Sequence, residues 1–145
     1  MADTRMTQAE REAFLAAPRI GVLSIPRPTE SQPPLSAPVW YDYHKGGELW
    51  LLTGPNSAKG KLLTLNGAVT MVAQQEAMPY AYVSAECTVT DIREATESDN
   101  REMAHRYLGP ETGDAYVKAN TGNVSIRVAL RIDRWLTVDY AKTSL

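Results

Sequence analysis

A short segment from Ser57 to Lys61 contains side chains well suited to holding an anion. It reads Ser-Ala-Lys-Gly-Lys and follows a Gly-Pro-Asn loop. At the start of a helix, free backbone N–H groups and the helix dipole already favour an anion, and this segment adds a hydroxyl donor and two ammonium groups. Ser57, Lys59 and Lys61 are therefore predicted to bind the phosphate of a cofactor.

The residues before this segment predict the elements that position it. Residues 35–43 and 48–53 read as the two strands of a hairpin joined by a Lys-Gly-Gly turn, and a helix is expected over 57–65. Pro38 lies within the first strand, and its missing N–H indicates an edge strand, a bulge, or a ladder interrupted for a ligand. Trp40 and Trp50 are expected on the two paired strands.

The rest of the chain predicts a small antiparallel barrel. Capping signals at Thr7 and Thr96 start two helices, and a helical piece follows Pro110. Further strands are expected over these ranges: 20–25, 68–74, 80–92, 124–132 and 135–139. Six or seven antiparallel strands with small peripheral helices indicate a mainly β, α+β fold, and 145 residues fit one domain over 1–145.

The alternation within 80–92 also predicts a partner. Val83, Ala85, Cys87 and Val89 form one apolar face of this strand. So few helices leave more apolar strand surface than one small domain can cover, so a homodimer is expected.

Composition excludes several classes of function. The chain has 15 basic and 17 acidic residues, a formal net charge of −2, which argues against a general nucleic-acid binder. Its amino terminus is polar and no run approaches the ~18 apolar residues of a membrane span, so no membrane association is expected. The single cysteine, Cys87, fits a reducing cytoplasm. His44 and His105 have no partners at ligand spacing, so no metal site is predicted.

No catalytic residues can be named from the sequence. A Ser/His/Asp order, paired carboxylates in a plausible cleft and a Walker-type loop are all missing from it. A bound cofactor is therefore expected to carry the chemistry, while the protein positions it.

Four stretches resemble the split β-barrel flavin and deazaflavin oxidoreductases, the group that includes pyridoxamine 5′-phosphate oxidase. They are the Gly-Val-Leu-Ser strand after the leading helix, Ala-Pro-Val-Trp-Tyr at 37–41, Thr-Gly-x-x-Ser-x-Lys-Gly at 53–60, and Pro-Tyr-x-Tyr-Val at 79–83. The likeness covers about 7–140. The second and fourth stretches look most like an actinobacterial branch, many of whose members use coenzyme F420, a 5-deazaflavin, instead of FMN.

This resemblance implies a split barrel similar to FMN-binding proteins, assembled as a homodimer with the cofactor at the subunit interface. Ser57 and Lys59 match the contacts to the cofactor phosphate, with Lys61 a weaker addition. Trp135 matches a tryptophan that the partner subunit brings near the cofactor. The strand that lies against the ring is matched by Ala37, Pro38, Val39 and Trp40.

Some expectations remain alternatives. Trp40 is either barrel packing or a ring contact, and Tyr80 and Tyr82 are either a half-buried sheet surface or a wall of the substrate pocket. The Arg and His that bind pyridoxal phosphate in the family have no match in residues 135–145, which argues against pyridoxamine phosphate oxidation.

The expected function is an F420-dependent oxidoreductase that transfers a hydride between the cofactor and a small unsaturated or aromatic substrate. The alternatives are an FMN-dependent enzyme of the pyridoxamine-phosphate-oxidase type, or a carrier of flavin, heme or another hydrophobic ligand. Family members that hold FMN usually have an arginine where residues 35–39 read Leu-Ser-Ala-Pro-Val. Dispersed cations such as Lys61, Arg127 and Arg131 would suit the long acidic tail of the deazaflavin.

Overall fold

A computed structural model describes residues 2–143, and in this range the chain forms seven strands and four α-helices. A short 3₁₀ helix, Tyr140–Lys142, follows the last strand. No helix of the described range is both long and apolar enough to cross a membrane. In chain order the elements are α1 (Gln8–Ala16), β1 (Gly21–Ile25), β2 (Leu35–Val39), β3 (Asp42–Tyr43), β4 (Leu49–Thr53), α2 (Ala58–Leu62), β5 (Ala68–Gln75), β6 (Ala81–Glu94), α3 (Glu97–Leu108), α4 (Pro110–Ala119) and β7 (Ile126–Asp139).

The strands of residues 2–143 form one antiparallel sheet, so the predicted fold class is confirmed. Their order across the sheet is β2-β1-β5-β6-β7-β4-β3. The two edge strands, β2 and β3, are separated by residues 40–41 alone. A chain segment from 39 to 42 spans at most ~11 Å, so the sheet must curl until its two edges meet. This short connection closes the sheet into a barrel.

The stretch over 35–43 differs from the predicted hairpin strand. β2 pairs with β1, and only the two residues of β3 pair with β4. Trp40 therefore lies between strands and not opposite Trp50. The physical reason is at Tyr41, whose N–H donates to the Tyr107 hydroxyl at 3.0 Å and whose carbonyl accepts from Arg106 Nε at 2.8 Å. Side chains of α3 thus take the backbone bonds that a continuous ladder would use.

Two other predicted boundaries were wrong. β7 is a single strand of 14 residues where two were expected, because the ladder continues through a bulge: Arg134 pairs with Glu86 and Ile132 with Cys87, and the exposed Asp133 between them is unpaired. α2 ends at Leu62, since Leu63 takes an extended conformation and buries its side chain in the core. Asn66 does adopt the expected left-handed conformation, with φ 65°.

The interior of the barrel is filled by one chain alone. The β6 face of Val83, Ala85, Cys87 and Val89 is buried together with core residues of the other strands. Burial raises the pKa of the Cys87 thiol to about 12, which makes it a packing residue. This face needs no partner subunit, so the reason given above for a dimer was wrong.

Arg106 fastens α3 over the junction between the two edge strands. Its guanidinium donates to the carbonyls of Ala16 and Ala17 at 2.9 and 3.1 Å, in addition to that of Tyr41. It also forms an ion pair with the buried Asp42 at 3.2 Å. One side chain thereby ties the end of α1, the β2–β3 junction and α3 together.

Candidate functional site

A groove of about 530 Å³ opens beside the β2–β3 junction. It is bordered by the end of β4, the start of α2, and helices α3 and α4. Five of the predicted cofactor-binding residues line it, namely Pro38, Val39, Trp40, Ser57 and Lys59. The fold therefore brings together the two motifs that sequence reasoning assigned to the ring and to the phosphate.

Lys59 is the charged residue of this groove. Every other residue of the described range that lines the groove is apolar or neutral. Its side chain is half-buried and forms no ion pair with any residue of 2–143. A half-buried cation without a counter-ion attracts an anionic group.

Ser57 organises the loop before α2. Its hydroxyl donates to the carbonyl of Gly54 at 2.7 Å and accepts from the N–H of Gly60 at 3.0 Å. It is therefore the N-cap of the helix, and it can offer its hydrogen to a ligand only by releasing the Gly54 carbonyl. The backbone N–H groups of Ala58 and Lys59, the first two of the helix, have no intrahelical acceptor.

The Thr-Gly-x-x-Ser-x-Lys-Gly motif ends in glycine because position 60 has no room for a side chain. A Cβ added there would lie 2.1 Å from the carbonyl oxygen of Gly54 and 3.0 Å from that of Pro55. Real Cβ atoms do not approach backbone oxygens so closely. The loop can therefore fold back over α2 only because position 60 has no side chain.

Trp40 forms the aromatic wall of the groove. Its ring stacks on Tyr107 with centroids 4.9 Å apart and planes at 9°, and Tyr116 of α4 leans against it at 5.7 Å and 47°. Trp40 packs against α3 and also lines the groove, while its contact with a cofactor ring stays a prediction.

Structures similar to this chain identify the fold. A conserved hypothetical protein from Mycobacterium tuberculosis is 26% identical, with a TM-score of 0.79 over 100% of this chain and 92% of its own. An F420 reductase is 25% identical, with a TM-score of 0.70 over 86% and 94%. A candidate pyridoxamine 5′-phosphate oxidase from Listeria innocua is 11% identical and shows the fold alone, with a TM-score of 0.64 over 90% and 96%. The predicted resemblance is confirmed. This chain has a split-barrel fold similar to that of pyridoxamine 5′-phosphate oxidase-like proteins.

No protein-family model and no curated protein matches the chain. The split barrel is therefore recognised through its structure and through the motifs that line its groove.

Three other predicted cofactor residues lie outside the groove of their own chain. Ala37 is on β2 but does not line the groove, and Lys61 is exposed on α2. Trp135 packs edge-on against Tyr43 at 6.1 Å, and the Arg11 guanidinium lies 4.7 Å from its ring centre. A contact from Trp135 to a cofactor of the partner subunit stays a prediction.

The predicted substrate residues are also apart from the groove. Tyr80 lines a separate apolar cavity of about 690 Å³ with Met78, Pro79 and Tyr140. Tyr82 lies on β6, paired with Val138 of β7. Within one chain, therefore, neither tyrosine faces the groove that contains Lys59.

Two of the three dispersed cations expected to hold an acidic tail, Arg127 and Arg131, already have partners. Arg131 donates to Asp133 at 2.8 Å. The Arg127 guanidinium lies 4.5 Å from the centre of the Trp50 ring, with its Nε 3.7 Å from Asp99. Lys59 is consequently the cation that the split barrel leaves available in the groove.

Sequence reasoning missed the side of the groove that helices provide. Asn100, Met103 and Ala104 come from α3, Tyr116 comes from α4, and Ser125 precedes β7. No local motif marks them, because only the packing of α3 over the β2–β3 junction brings them to residues 38–40.

His44 has acidic neighbours that its sequence context did not reveal. Its Nε2 lies 3.6 Å from Asp42 and 3.5 Å from Glu102, so the three could hold a metal ion. Asp42 is already paired with Arg106 at 3.2 Å. The cluster is accounted for as an ion-pair network that joins β3 to α3.

Proposed function

We propose that this split barrel is an F420-dependent oxidoreductase that transfers a hydride between the deazaflavin and a small unsaturated or aromatic substrate. The similarity to an F420 reductase over 86% of the chain supports this choice of cofactor. FMN is the alternative cofactor, since the split-barrel fold also occurs in proteins of the pyridoxamine 5′-phosphate oxidase type.

The observation that carries the proposal is that Lys59 and Trp40 line one groove. A phosphorylated planar ring needs a cation for its phosphate and an apolar or aromatic surface for its ring, and these residues supply both. Pro38 and Val39 extend the ring surface along the edge strand. The donor set therefore fits a phosphorylated flavin or deazaflavin.

The residues of the groove bind and orient, while a bound deazaflavin supplies hydride transfer. Ser57 and Gly60 hold the loop in the shape that presents Lys59. Met103 and Ala104 of α3 are buried and close the groove to water from one side. Tyr80 and Tyr82 remain our candidates for the substrate pocket, provided by a neighbouring subunit.

We further propose a homodimer, now on different evidence. An apolar row crosses the outer side of the barrel where no helix covers it. The row runs across four strands: Val22 of β1 pairs with Val72 of β5, Val72 pairs with Ser84 of β6, and Ser84 pairs with Leu136 of β7. Val22 and Leu136 are 39% and 56% exposed, a surface that a second copy of the chain would bury.

The outer row also reaches the groove. Val22 pairs with Pro38, which lines the groove, and the exposed Ile20 lines it as well. A second copy seated on the row would therefore lie beside the bound cofactor. This continuity supports a cofactor site at the subunit interface.

Cofactor titration tests the proposal. Calorimetry with F420 and with FMN is compared for the parent, Lys59→Met and Lys61→Met. A charge-assisted bond to phosphate is worth about 1.5–3 kcal/mol, so Lys59→Met should weaken binding roughly 10- to 100-fold. Lys61→Met, which removes the same charge outside the groove, should change it little. Equal affinities for parent and Lys59→Met would place the phosphate elsewhere.

A turnover assay separates the enzyme from a carrier. The absorbance of the reduced deazaflavin is followed with the protein and a panel of enones, quinones and nitroaromatic compounds. Decay that depends on protein supports the oxidoreductase. Tight binding without decay against every acceptor supports a carrier.

A further inference from the structure

Helix α4 lies between Gly109 and Gly122. At both positions glycine is favoured by the backbone conformation and not by a lack of space for a side chain. Gly109 has φ 80° and Gly122 has φ 95°, and a Cβ at either position would meet no atom within 4 Å. Glycine adopts positive φ without strain. Residues that tolerate large backbone changes at the ends of an element are suited to act as hinges.

Only the first half of α4 is fastened to α3. Gly113 is its one buried residue, and a Cβ there would lie 3.0 Å from the backbone N of His105 and 3.1 Å from the carbonyl carbon of Ala104. Next to it, His105 Nε2 and Asp114 Oδ1 are 2.6 Å apart. These contacts form a latch, which we define as Gly113, Asp114 and His105.

The second half of α4 lies over a space instead of a packed surface. A cavity of about 630 Å³ separates it from the start of α3 and from Ser125. The cavity has polar lining residues, among them Asn100, Lys118 and Asn123. A helix end that covers a largely polar cavity buries little apolar surface, so it is held weakly.

Tyr116 stands on this half of α4 and belongs to both spaces. It lines the groove that contains Lys59 and also the cavity under α4. Its ring leans on Trp40 and remains 47% exposed. Displacement of α4 would therefore uncover Trp40 and join the groove to the cavity.

We propose that α4 is a hinged flap whose Tyr116 closes the groove over a bound ligand. The flap opens at Gly109 and Gly122 when the latch on His105 is released. This inference rests on the proposed function for the identity of the ligand, a phosphorylated flavin or deazaflavin. The open state is a property of the ligand-free chain and can be measured without a cofactor.

Two variants weaken the latch in different ways. Gly113→Ala places a Cβ against the backbone of α3, and Asp114→Asn removes the charge that faces His105. The control is Glu111→Gln, which removes the same charge from the same helix, at a residue that forms no ion pair within residues 2–143. Circular dichroism must show that the barrel remains folded in each variant.

Hydrogen exchange of the ligand-free protein tests the flap directly. Loss of the charge-assisted bond in Asp114→Asn, or the steric contact added in Gly113→Ala, should shift the closed-to-open ratio roughly 5- to 30-fold. Amides of α4 should therefore exchange faster in both latch variants. The barrel amides and the Glu111→Gln control should keep parent rates. Acrylamide quenching of Trp40 fluorescence should rise in parallel. It is measured in a Trp135→Phe background, where the only other tryptophan, Trp50, is buried and so is shielded from the quencher. Parent-like exchange and quenching in both latch variants would overturn the flap.

Stopped-flow binding of FMN and of F420 tests its consequence. If ligand passes only through the open state, association should be roughly 5- to 30-fold faster in the latch variants, by the same shift in population. Unchanged association despite faster exchange of α4 would overturn its role as a gate. If the parent binds neither cofactor, the proposed function fails, while the exchange experiment still decides whether α4 opens.

Discussion

The indole of Trp40 lies parallel to the ring of Tyr107, with centroids 4.9 Å apart and planes at 9°. The Tyr107 hydroxyl accepts from the N–H of Tyr41 at 3.0 Å and donates to the carbonyl of Arg19 at 2.7 Å or to that of Tyr41 at 2.9 Å. One side chain thus provides the surface for Trp40 and replaces the ladder bonds lost between β2 and β3. The wall of the groove and the closure of the barrel depend on the same residue.

Variants of Tyr107 should separate these two roles. Tyr107→Phe keeps the stack on Trp40 but leaves the N–H of Tyr41 without its partner, so the free energy of unfolding should fall by about 1–3 kcal/mol. Urea denaturation measures this change. Cofactor affinity of the folded Phe variant should stay near that of the parent, whereas Tyr107→Leu, which removes the stack, should weaken it. Equal affinity in the Phe and Leu variants would show that the stack does not shape the groove.

Gly54, in the loop before α2, and Gly60, within α2, should respond differently to alanine. Gly60→Ala forces a Cβ against the carbonyl of Gly54, and the loop must open to relieve the contact. At Gly54 the nearest atom to an added Cβ is the Ser57 Cβ at 3.9 Å, an ordinary contact. Thermal unfolding should therefore show a clear loss of Tm for Gly60→Ala and little change for Gly54→Ala. Similar melting temperatures for the two variants would contradict the close approach at position 60.

The capped start of α2 could be predicted from the sequence because its physics is local. Ser57 caps the helix that begins one residue later, and Lys59 follows on the first turn. Alternation likewise predicted the buried face of β6, since side chains of a strand point to opposite faces. Both inferences need only neighbouring residues.

The break at Trp40 and the helical wall of the groove could not be predicted in this way. The pattern over 35–43 is typical of one strand, and the bonds that interrupt it come from Arg106 and Tyr107, more than 60 residues later. Asn100 and Tyr116 reach the groove only because α3 crosses the β2–β3 junction. Contacts so distant in sequence leave no periodicity by which a motif could reveal them.

Ionic strength should affect cofactor binding only modestly. Lys59 is the one charged residue among the described residues that line the groove, and Arg131 is already paired with Asp133. A single, partly shielded contact is screened less than a row of exposed cations. Calorimetry from low salt to about 0.15 M ionic strength should show a shallow loss of affinity in the parent and almost none in Lys59→Met. A steep dependence that survives in Lys59→Met would mean that other cations hold the ligand.

Acid should loosen α3 through Asp99. The Arg93 guanidinium, hydrogen-bonded to this carboxylate at 2.7 and 3.1 Å, lowers the pKa of Asp99 to about 2. A lowered pKa adds stability above the unfolded value of about 3.9, and that stability is lost as pH falls through about 2. Asp99→Asn should therefore cost about 1–2 kcal/mol near neutral pH, and the difference should shrink on acidification.

Denaturation at several pH values checks this prediction. Asp3→Asn is its control, since Arg5 also lowers the pKa of Asp3 to about 2 but the pair is exposed to solvent. Exposed pairs add little stability, so this variant should unfold like the parent at every pH. A gap between parent and Asp99→Asn that does not narrow in acid would assign the effect of Asp99 to something other than its charge.

The outer apolar row should hold two copies of the chain together. Leu136→Lys places a charge at the β7 end of that row, where burial against a second subunit would be costly. Leu65→Lys is the matched control, because Leu65 is 58% exposed and Leu136 is 56% exposed, but Leu65 lies in the turn before β5. Light scattering at micromolar concentration should give about twice the chain mass of 16.0 kDa for the parent and Leu65→Lys, and the chain mass for Leu136→Lys. A parent that already has the mass of one chain would rule out the dimer, and with it any contact of Trp135 with the cofactor of a partner subunit.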